Sequence, residues 1–96
     1  MTEPENTKNI MVLARNNPTE AMRVAAGLTI FGHVIELVFM SRTLTEAEAD
    51  SEQSELLELC EIVPKTTVSE MAEYFEHLNA KALAEALGNA DLVINL

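Results

Sequence analysis

Apolar and polar positions alternate along the chain in blocks that predict strands and helices in turn. Ile10–Ala14 is an unbroken apolar run rich in branched and long side chains, which is typical of a strand covered on both faces. Polar residues end this run at Arg15. Asn17, Pro18 and Glu20 then have the residue types and spacing that begin a helix.

A helix is predicted next, because apolar residues over 21–31 recur at intervals of three and four, and Gly32 then ends the pattern. Gly27, inside this helix, is expected to allow close packing on a sheet. His33–Val34 leads into a second apolar run, Ile35–Met40, which predicts the second strand. A strand, a helix and a strand joined by short turns form a right-handed βαβ unit.

Between residues 41 and 65 the pattern is weaker. Residues 41–54 are polar, and the leucines at positions 56, 57 and 59 predict a short second helix. Ile62–Val63 predicts the third strand, extending towards Val68 with Pro64 inside it. Because proline cannot donate a ladder hydrogen bond, this strand must be short or lie where that N–H is not needed.

Two further helices and a last strand complete the pattern. Thr67 and Glu70 have the spacing of a capping box, and the apolar residues over 71–78 then mark one helix face. An asparagine and a glycine bound another helix over 79–88, and Asp91–Leu96 predicts the final strand.

This order of elements predicts an α/β fold: a three-layer sandwich with a mainly parallel sheet of about four or five strands and helices on both faces. We expect one domain over residues 1–96, with residues 1–9 as a flexible tail. A core this small leaves apolar surface uncovered, so we also expect a homo-oligomer.

The net charge of the chain indicates which classes of macromolecule it could bind. Its formal net charge is −10, which opposes binding to nucleic-acid phosphates and favours basic protein partners. No apolar run reaches the roughly 18 residues that span a bilayer, so no membrane span is expected. The polar start of the chain lacks the basic and apolar regions of a signal peptide, which predicts a cytoplasmic location.

Sulfur and imidazole groups are few. One cysteine, Cys60, excludes an internal disulfide framework, and with His33 and His77 it makes no zinc signature. We expect no metal, no cofactor and no catalytic residue, and structural or surface roles for both histidines. Glu58 and Glu61 flank Cys60 at a predicted helix end and disfavour its thiolate, so an inert thiol is expected.

Basic residues provide one candidate ligand site. Arg15, Arg42 and Lys65 each follow a predicted strand, so a parallel sheet would gather them at its carboxyl edge, where open α/β folds bind ligands. Helix N-termini add N–H donors there. The residues predicted for a small-anion or nucleotide site are Arg15, Asn16, Asn17, Arg42, Lys65, Thr66 and Thr67.

Two alternatives to a ligand site remain open. The basic residues could instead pair with the acidic tract over 46–61 or only solvate the edge. That acidic tract could itself be a docking surface for a basic protein, or simply a solvated face. No glycine-rich phosphate loop is present, which makes nucleotide binding the weaker form of the site.

Three stretches of the chain resemble the DsrE/DsrF-like family of sulfur-relay proteins. Residues 20–28 and 31–40 resemble the first helix and second strand of that family, and Asn89–Ile94 resembles its final strand. The resemblance covers roughly two-thirds of the chain and is weakest between Ser41 and Asn79.

The resemblance implies a small α/β sandwich that assembles into trimers or hexamers. In members that oxidise sulfur or thiolate tRNA, a cysteine just after the third strand carries a persulfide. Here that loop reads Pro64–Val68 and has no sulfur, while Cys60 precedes the predicted strand. The chain therefore resembles a non-catalytic or degenerate member of the family. It would be an accessory or binding protein, in a context of sulfur metabolism, that acts as a homo-oligomer. The alternatives are a sulfur carrier that uses Cys60, and a small-anion or nucleotide-binding module at the carboxyl edge.

Overall fold

The structure, a computed structural model, describes residues 8–96. Most of the predicted tail, residues 1–7, lies outside this range, and Asn9 already belongs to the first strand. The elements are β1 (Asn9–Ala14), α1 (Pro18–Ile30), β2 (Val34–Phe39), α2 (Glu46–Ala49), α3 (Glu52–Leu59), β3 (Lys65–Thr66), a 3-10 turn (Ser69–Met71), β4 (Glu76–His77), α4 (Ala80–Asn89) and β5 (Leu92–Asn95).

Within the described range, five strands form one parallel sheet in the order β4-β3-β2-β1-β5. The predicted α/β sandwich with a parallel sheet is therefore confirmed. β1 lies between β2 and the edge strand β5, with Ile10 opposite Ile35 on one side and Leu92 on the other. At the start of β5, the N–H of Asp91 donates to the carbonyl oxygen of Asn9 over 2.7 Å.

The β1–α1–β2 unit forms where the sequence predicts it. The side chain of Asn17 accepts a hydrogen bond from the N–H of Glu20, and Pro18 is the first helical residue. The helix ends at Ile30, and Gly32 follows with a φ of 90°, a left-handed conformation that glycine adopts without strain.

Helices cover both faces of the sheet. On one face, α1 and α3 pack over Val12, Leu37 and Phe39, which are buried with Met22 and Leu57. On the other face, α4 packs over alternate strand residues. That second cluster consists of Met11, Leu13, Val38 and Leu78, with Leu83 and Leu87 of α4 against it. Because the middle of β1 and the last three residues of β2 are covered on both sides, Ile10–Ala14 and 37–39 are continuous apolar runs, whereas the less buried start of β2 carries Glu36.

The segment between the second strand and α4 differs from its prediction in three ways. The third strand is Lys65–Thr66, so it begins after Pro64 rather than at Ile62. The helix predicted over 68–78 is wrong, since this segment forms a 3-10 turn and the short strand β4. The polar stretch also contains α2, which the prediction lacked.

Two glycines behave differently from their predictions. A Cβ atom built on Gly27 would have no atom of another described element within 4 Å, so the predicted close packing at this position is wrong. Gly88 lies inside α4 and does not end it; the helix continues to Asn89. Over residues 8–96 no helix combines the length and the apolar character needed to cross a membrane.

Candidate functional site

The carboxyl edge of the sheet is the place where the sequence predicted a ligand site. Ala14, Phe39 and Thr66 lie side by side on β1, β2 and β3, since Ala14 pairs with Phe39 and Phe39 pairs with Thr66. Arg15 and Thr67 are the next residues on their strands, and both lie at the edge. The other residues of the predicted site make contacts within the protein, and these contacts decide whether their side chains are free to bind a ligand.

Arg42 is engaged by a carboxylate of α2. Its two terminal nitrogens donate to the two carboxylate oxygens of Glu48, over 2.7 and 2.8 Å. Glu48 also forms a capping box with Thr45, accepting from its N–H over 2.9 Å. The hydrogen bonds from Arg42, more than any other contact, lower the pKa of Glu48 to about 2. An incoming anion would have to displace this two-point contact, so here the pairing with the acidic tract is the arrangement observed.

Lys65 lies on a face of the sheet and not beyond its edge. It is the first residue of β3 and pairs with Val38, which places its side chain on the face covered by α4. Its Nζ atom is 2.5 Å from Oε1 of Glu36 and 3.4 Å from Oε2 of Glu76. The hydrogen bond to Glu36 is the main reason that the pKa of Lys65 is raised. The expectation that Lys65 follows the third strand is therefore wrong, because the strand begins three residues later than predicted.

Thr66 has a structural position. Its side chain is fully buried, and its hydroxyl donates to the carbonyl oxygen of Phe39 over 3.0 Å. The same hydroxyl oxygen accepts from the N–H of Val68 over 3.0 Å. Both uses of the hydroxyl are internal, so Thr66 offers nothing to a ligand at the edge.

The N–H donors of the loop between β1 and α1 are also used in hydrogen bonds within the protein. The N–H groups of Asn16 and Asn17 both donate to the carbonyl oxygen of Leu96, over 2.9 and 3.0 Å. The side-chain oxygen of Asn17 caps α1, as described above. Arg15 is exposed and makes no ion pair with any residue in the range 8–96. Of the predicted cationic cluster, only Arg15 is therefore free among the described residues, and the anion site stays a prediction.

Cys60 lies at the opposite end of the sandwich, directly after the last residue of α3. It is half-buried, and its Sγ atom is 3.9 Å from the carbonyl oxygen of Ala26 on α1. No hydrogen bond or ion pair joins it to a basic side chain in the described part of the chain. Since a reactive thiol needs nearby positive charge or a helix N-terminus, these surroundings do not favour a thiolate.

The histidines occupy structural and surface positions. The Nδ1 atom of His33 accepts a hydrogen bond from the N–H of Lys8 over 3.2 Å, which ties the start of β1 to the turn before β2. His77 is exposed in β4, and not near a helix end as the sequence predicted. Among residues 8–96 there is no group of three or more histidine, cysteine or acidic side chains arranged to hold a metal ion.

A different surface stands out at the amino edge of the sheet, where the strands begin. In the described chain, seven of the eight exposed large apolar side chains lie at or between the end of a helix or 3-10 turn and the start of a strand, and the eighth, Leu56, lies about one turn before the end of α3. Their exposures run from 38 to 80%. We call this set the amino-edge surface. It consists of Ile30, Phe31, Val34, Leu56, Leu59, Val63, Tyr74 and Leu92.

The topology explains why these residues gather at one edge. Helices that connect parallel strands run back across the sheet, so α1 and α3 end where the next strands start. Phe31 follows α1, Leu59 ends α3 and Val63 precedes β3. Five strands at about 4.8 Å spacing give this edge a width of about 19 Å, enough for a protein contact. Apolar groups exposed together on this scale usually mark an interaction surface.

Acidic side chains border the amino-edge surface. Glu55, Glu58 and Glu61 lie beside Leu59 along α3 and its following turn, and all are exposed. None of them forms an ion pair within residues 8–96. The sequence predicted that some apolar surface would stay uncovered, but it did not predict where that surface lies. The available signal was the set of apolar residues outside the helix and strand patterns, such as Phe31 and Val63.

No protein-family model matches this chain, no curated protein matches it, and no solved structure matches it. The resemblance to DsrE/DsrF-like proteins therefore stays a prediction based on the sequence pattern alone.

Proposed function

We propose that the protein is a non-catalytic accessory protein that works by association between protein chains through the amino-edge surface. The observation that carries this proposal is the collection of exposed large apolar side chains at one edge of the sheet. Burying such side chains is favourable by about 25 cal/mol for each Å² removed from water. In the isolated chain these apolar side chains stay exposed to water, and a second protein surface would bury them.

The first occupant that we propose is another copy of the same chain, giving a homo-oligomer. The trimers and hexamers of DsrE/DsrF-like proteins, and a role in sulfur metabolism in the cytoplasm, belong to this proposal through the resemblance only. Association of identical chains of net charge −10 meets electrostatic repulsion. Because salt screens repulsion between exposed charges, assembly should strengthen as the ionic strength rises.

Light scattering coupled to size-exclusion chromatography tests the proposal directly. The mass of the wild-type protein should rise with protein concentration and with salt. Phe31→Glu and Val63→Glu, which place a charge on the amino-edge surface, should keep the protein monomeric. Ala47→Glu is the matched control, because Ala47 is exposed on α2 and lies outside this surface. A wild-type protein that stays monomeric at every concentration and salt level would contradict self-association.

The sulfur-carrier alternative has its own measurement. Incubation with a persulfide donor, followed by mass spectrometry of the intact protein, reports any sulfur carried by Cys60. We expect no stable addition of sulfur at neutral pH, and slow alkylation by iodoacetamide, because no basic side chain within residues 8–96 contacts the thiol. Rapid alkylation with persulfide uptake would instead establish a carrier and overturn the non-catalytic role.

A further inference from the structure

A cavity lies on the face of the sheet that α4 covers, next to the amino-edge surface, with which it shares Val34. Its volume is about 370 Å³, and it opens between the last turn of α4 and the first residues of β1 and β2. This volume falls at the lower end of the range for small-molecule sites, about 300–1,000 Å³. We call it the α4 cavity. Residues that line it include Asn9, Met11, Glu36, Ala86, Asn89 and Ala90.

One wall of the α4 cavity carries negative charge. Glu36 is the charged residue of its lining, and Oε1 of Glu36 binds Lys65 over 2.5 Å. No hydrogen bond to the second oxygen, Oε2, is formed within residues 8–96. Lys65 is shared with Glu76, so one ammonium group faces two carboxylates and the group of three is net negative.

The end of α4 adds to this polarity. Asn89 is the last residue of the helix, and the final carbonyl groups of a helix carry a partial negative charge. The side chains of Asn9 and Asn89 supply amide oxygens that can accept hydrogen bonds. Because the amides also carry NH2 donors, the preference for a cation over an anion comes from Glu36, the charged side chain of the lining, and from the end of α4.

The rest of the lining is aliphatic. Met11 is buried in the sheet, and methyl groups come from Ala86 in the last turn of α4 and from Ala90 directly after the helix. The small alanine side chains leave the space open. A ligand that fits both parts has a cationic head and a short hydrocarbon stem.

We propose that the α4 cavity binds a small aliphatic amine in its ammonium form. The ammonium group donates to the second oxygen of Glu36 and to neighbouring amide or carbonyl oxygens, while the stem packs on Met11 and the alanines. The negative charge of the whole chain raises the local concentration of cations and adds to the association rate. Although Val34 borders both the cavity and the amino-edge surface, the proposed amine site does not rest on the proposed oligomer.

Three small molecules of similar size but different charge can show whether binding to the α4 cavity depends on charge or only on shape. Titrations with n-butylamine, n-butanol and butyrate, at constant pH and ionic strength, can be followed by amide chemical shifts in nitrogen-15-labelled protein. Butylamine should give saturable shifts at residues around the α4 cavity, butanol weaker ones and butyrate none. Equal responses to butylamine and butyrate, or shifts that never saturate, would overturn the proposal.

Matched variants then locate the site. Glu36→Gln keeps the shape of the side chain and should weaken butylamine binding about tenfold or more, since a hydrogen bond to a charged group is lost. Glu46→Gln, on exposed α2, removes one charge elsewhere and should leave binding unchanged. An equal loss in both variants would mean that butylamine only screens the acidic surface.

A second pair of variants tests the space itself. Ala86→Leu fills the α4 cavity and should abolish the saturable shifts, whereas Ala84→Leu adds the same bulk on the exposed side of the same helix and should not. Unchanged butylamine binding in a folded Ala86→Leu protein would place the ligand outside the cavity.

Discussion

The hydroxyl of Thr66 and the carbonyl oxygen of Phe39 are joined by a hydrogen bond of 3.0 Å across β3 and β2. Since β3 pairs over only Lys65 and Thr66, this side-chain bond supplements a very short ladder. The hydroxyl also accepts from the N–H of Val68 and so fixes the turn that leads to β4. One buried oxygen therefore connects two strands and the following turn.

Replacing Thr66 with valine should destabilise the protein by about 1–3 kcal/mol, because it leaves the N–H of Val68 and one acceptor site of Phe39 without a buried partner. Thr66→Ser keeps the hydroxyl and loses a methyl group, at a cost of about 1 kcal/mol. Urea denaturation of the two variants measures both values. If valine costs no more than serine, the two hydrogen bonds contribute little.

The contact between Arg42 and Glu48 predicts a dependence on pH. The pKa of Glu48 is about 2 in the folded protein, against 4.5 as the ordinary value. A lowered folded-state pKa gives stability that is present above the unfolded pKa and is lost as the pH falls through the folded one. The free energy of unfolding of wild type minus Glu48→Gln should therefore be constant above pH 4.5 and decline towards pH 2.

Denaturation curves of both proteins across this pH range check the prediction. Glu46→Gln is the control, because Glu46 is exposed on the same helix and makes no ion pair among the described residues. A difference between wild type and Glu48→Gln that persists unchanged down to pH 2 would show that the contact does not protect the ionised carboxylate.

Gly27 and Gly32 should respond oppositely to alanine. Gly27 lies inside α1, and no other described element comes within 4 Å of the site of a Cβ, so Gly27→Ala should stabilise the protein by roughly 0.5–1 kcal/mol. Gly32 has a φ of 90°, so Gly32→Ala should destabilise it by about 1 kcal/mol. Thermal or urea denaturation gives both signs. A loss of stability in Gly27→Ala would contradict the open space that the structure shows beside Gly27.

The first half of the fold could be predicted because local signals and burial agree there. β1 and the second half of β2 are buried on both faces, which favours long apolar runs in the sequence, and Asn17 caps α1 through its own side chain. Local preference and tertiary packing point to the same structure in this unit, and each element is long enough to show its period.

The segment over 61–78 could not be predicted in the same way. Met71, Phe75 and Leu78 have helical spacing, yet they enter the core from a 3-10 turn and a short strand, with the ring of Phe75 5.4 Å from that of Phe39. The two-residue strand at 76–77 is charged and polar, and it is held by main-chain bonds such as the one from Leu78 N–H to the Thr66 carbonyl. A strand that is held mainly by main-chain hydrogen bonds leaves no pattern of apolar and polar side chains in the sequence from which it could be predicted.

The predicted ligand site depended on that same segment. A strand that begins at Lys65 moves this residue from the carboxyl edge to the face with Glu36. For α2 a sequence signal did exist, since Thr45 and Glu48 have the capping-box spacing, but a four-residue helix has no apolar stripe to support it. Both cases show that register within the sheet must be known before a site at its edge can be assembled from sequence.

The position of β1 between β2 and β5 has a consequence for synthesis. The strand that completes its second side, β5, begins far along the chain; 82 residues separate Asn9 from Asp91, which are joined at this junction. While a ribosome extends the nascent polypeptide, β1 and β2 can meet early, but one row of β1 amide and carbonyl groups stays without its strand partner until residues 92–95 emerge. Contacts this distant slow folding, so translation pauses upstream of Leu92 should increase aggregation and demand for chaperones.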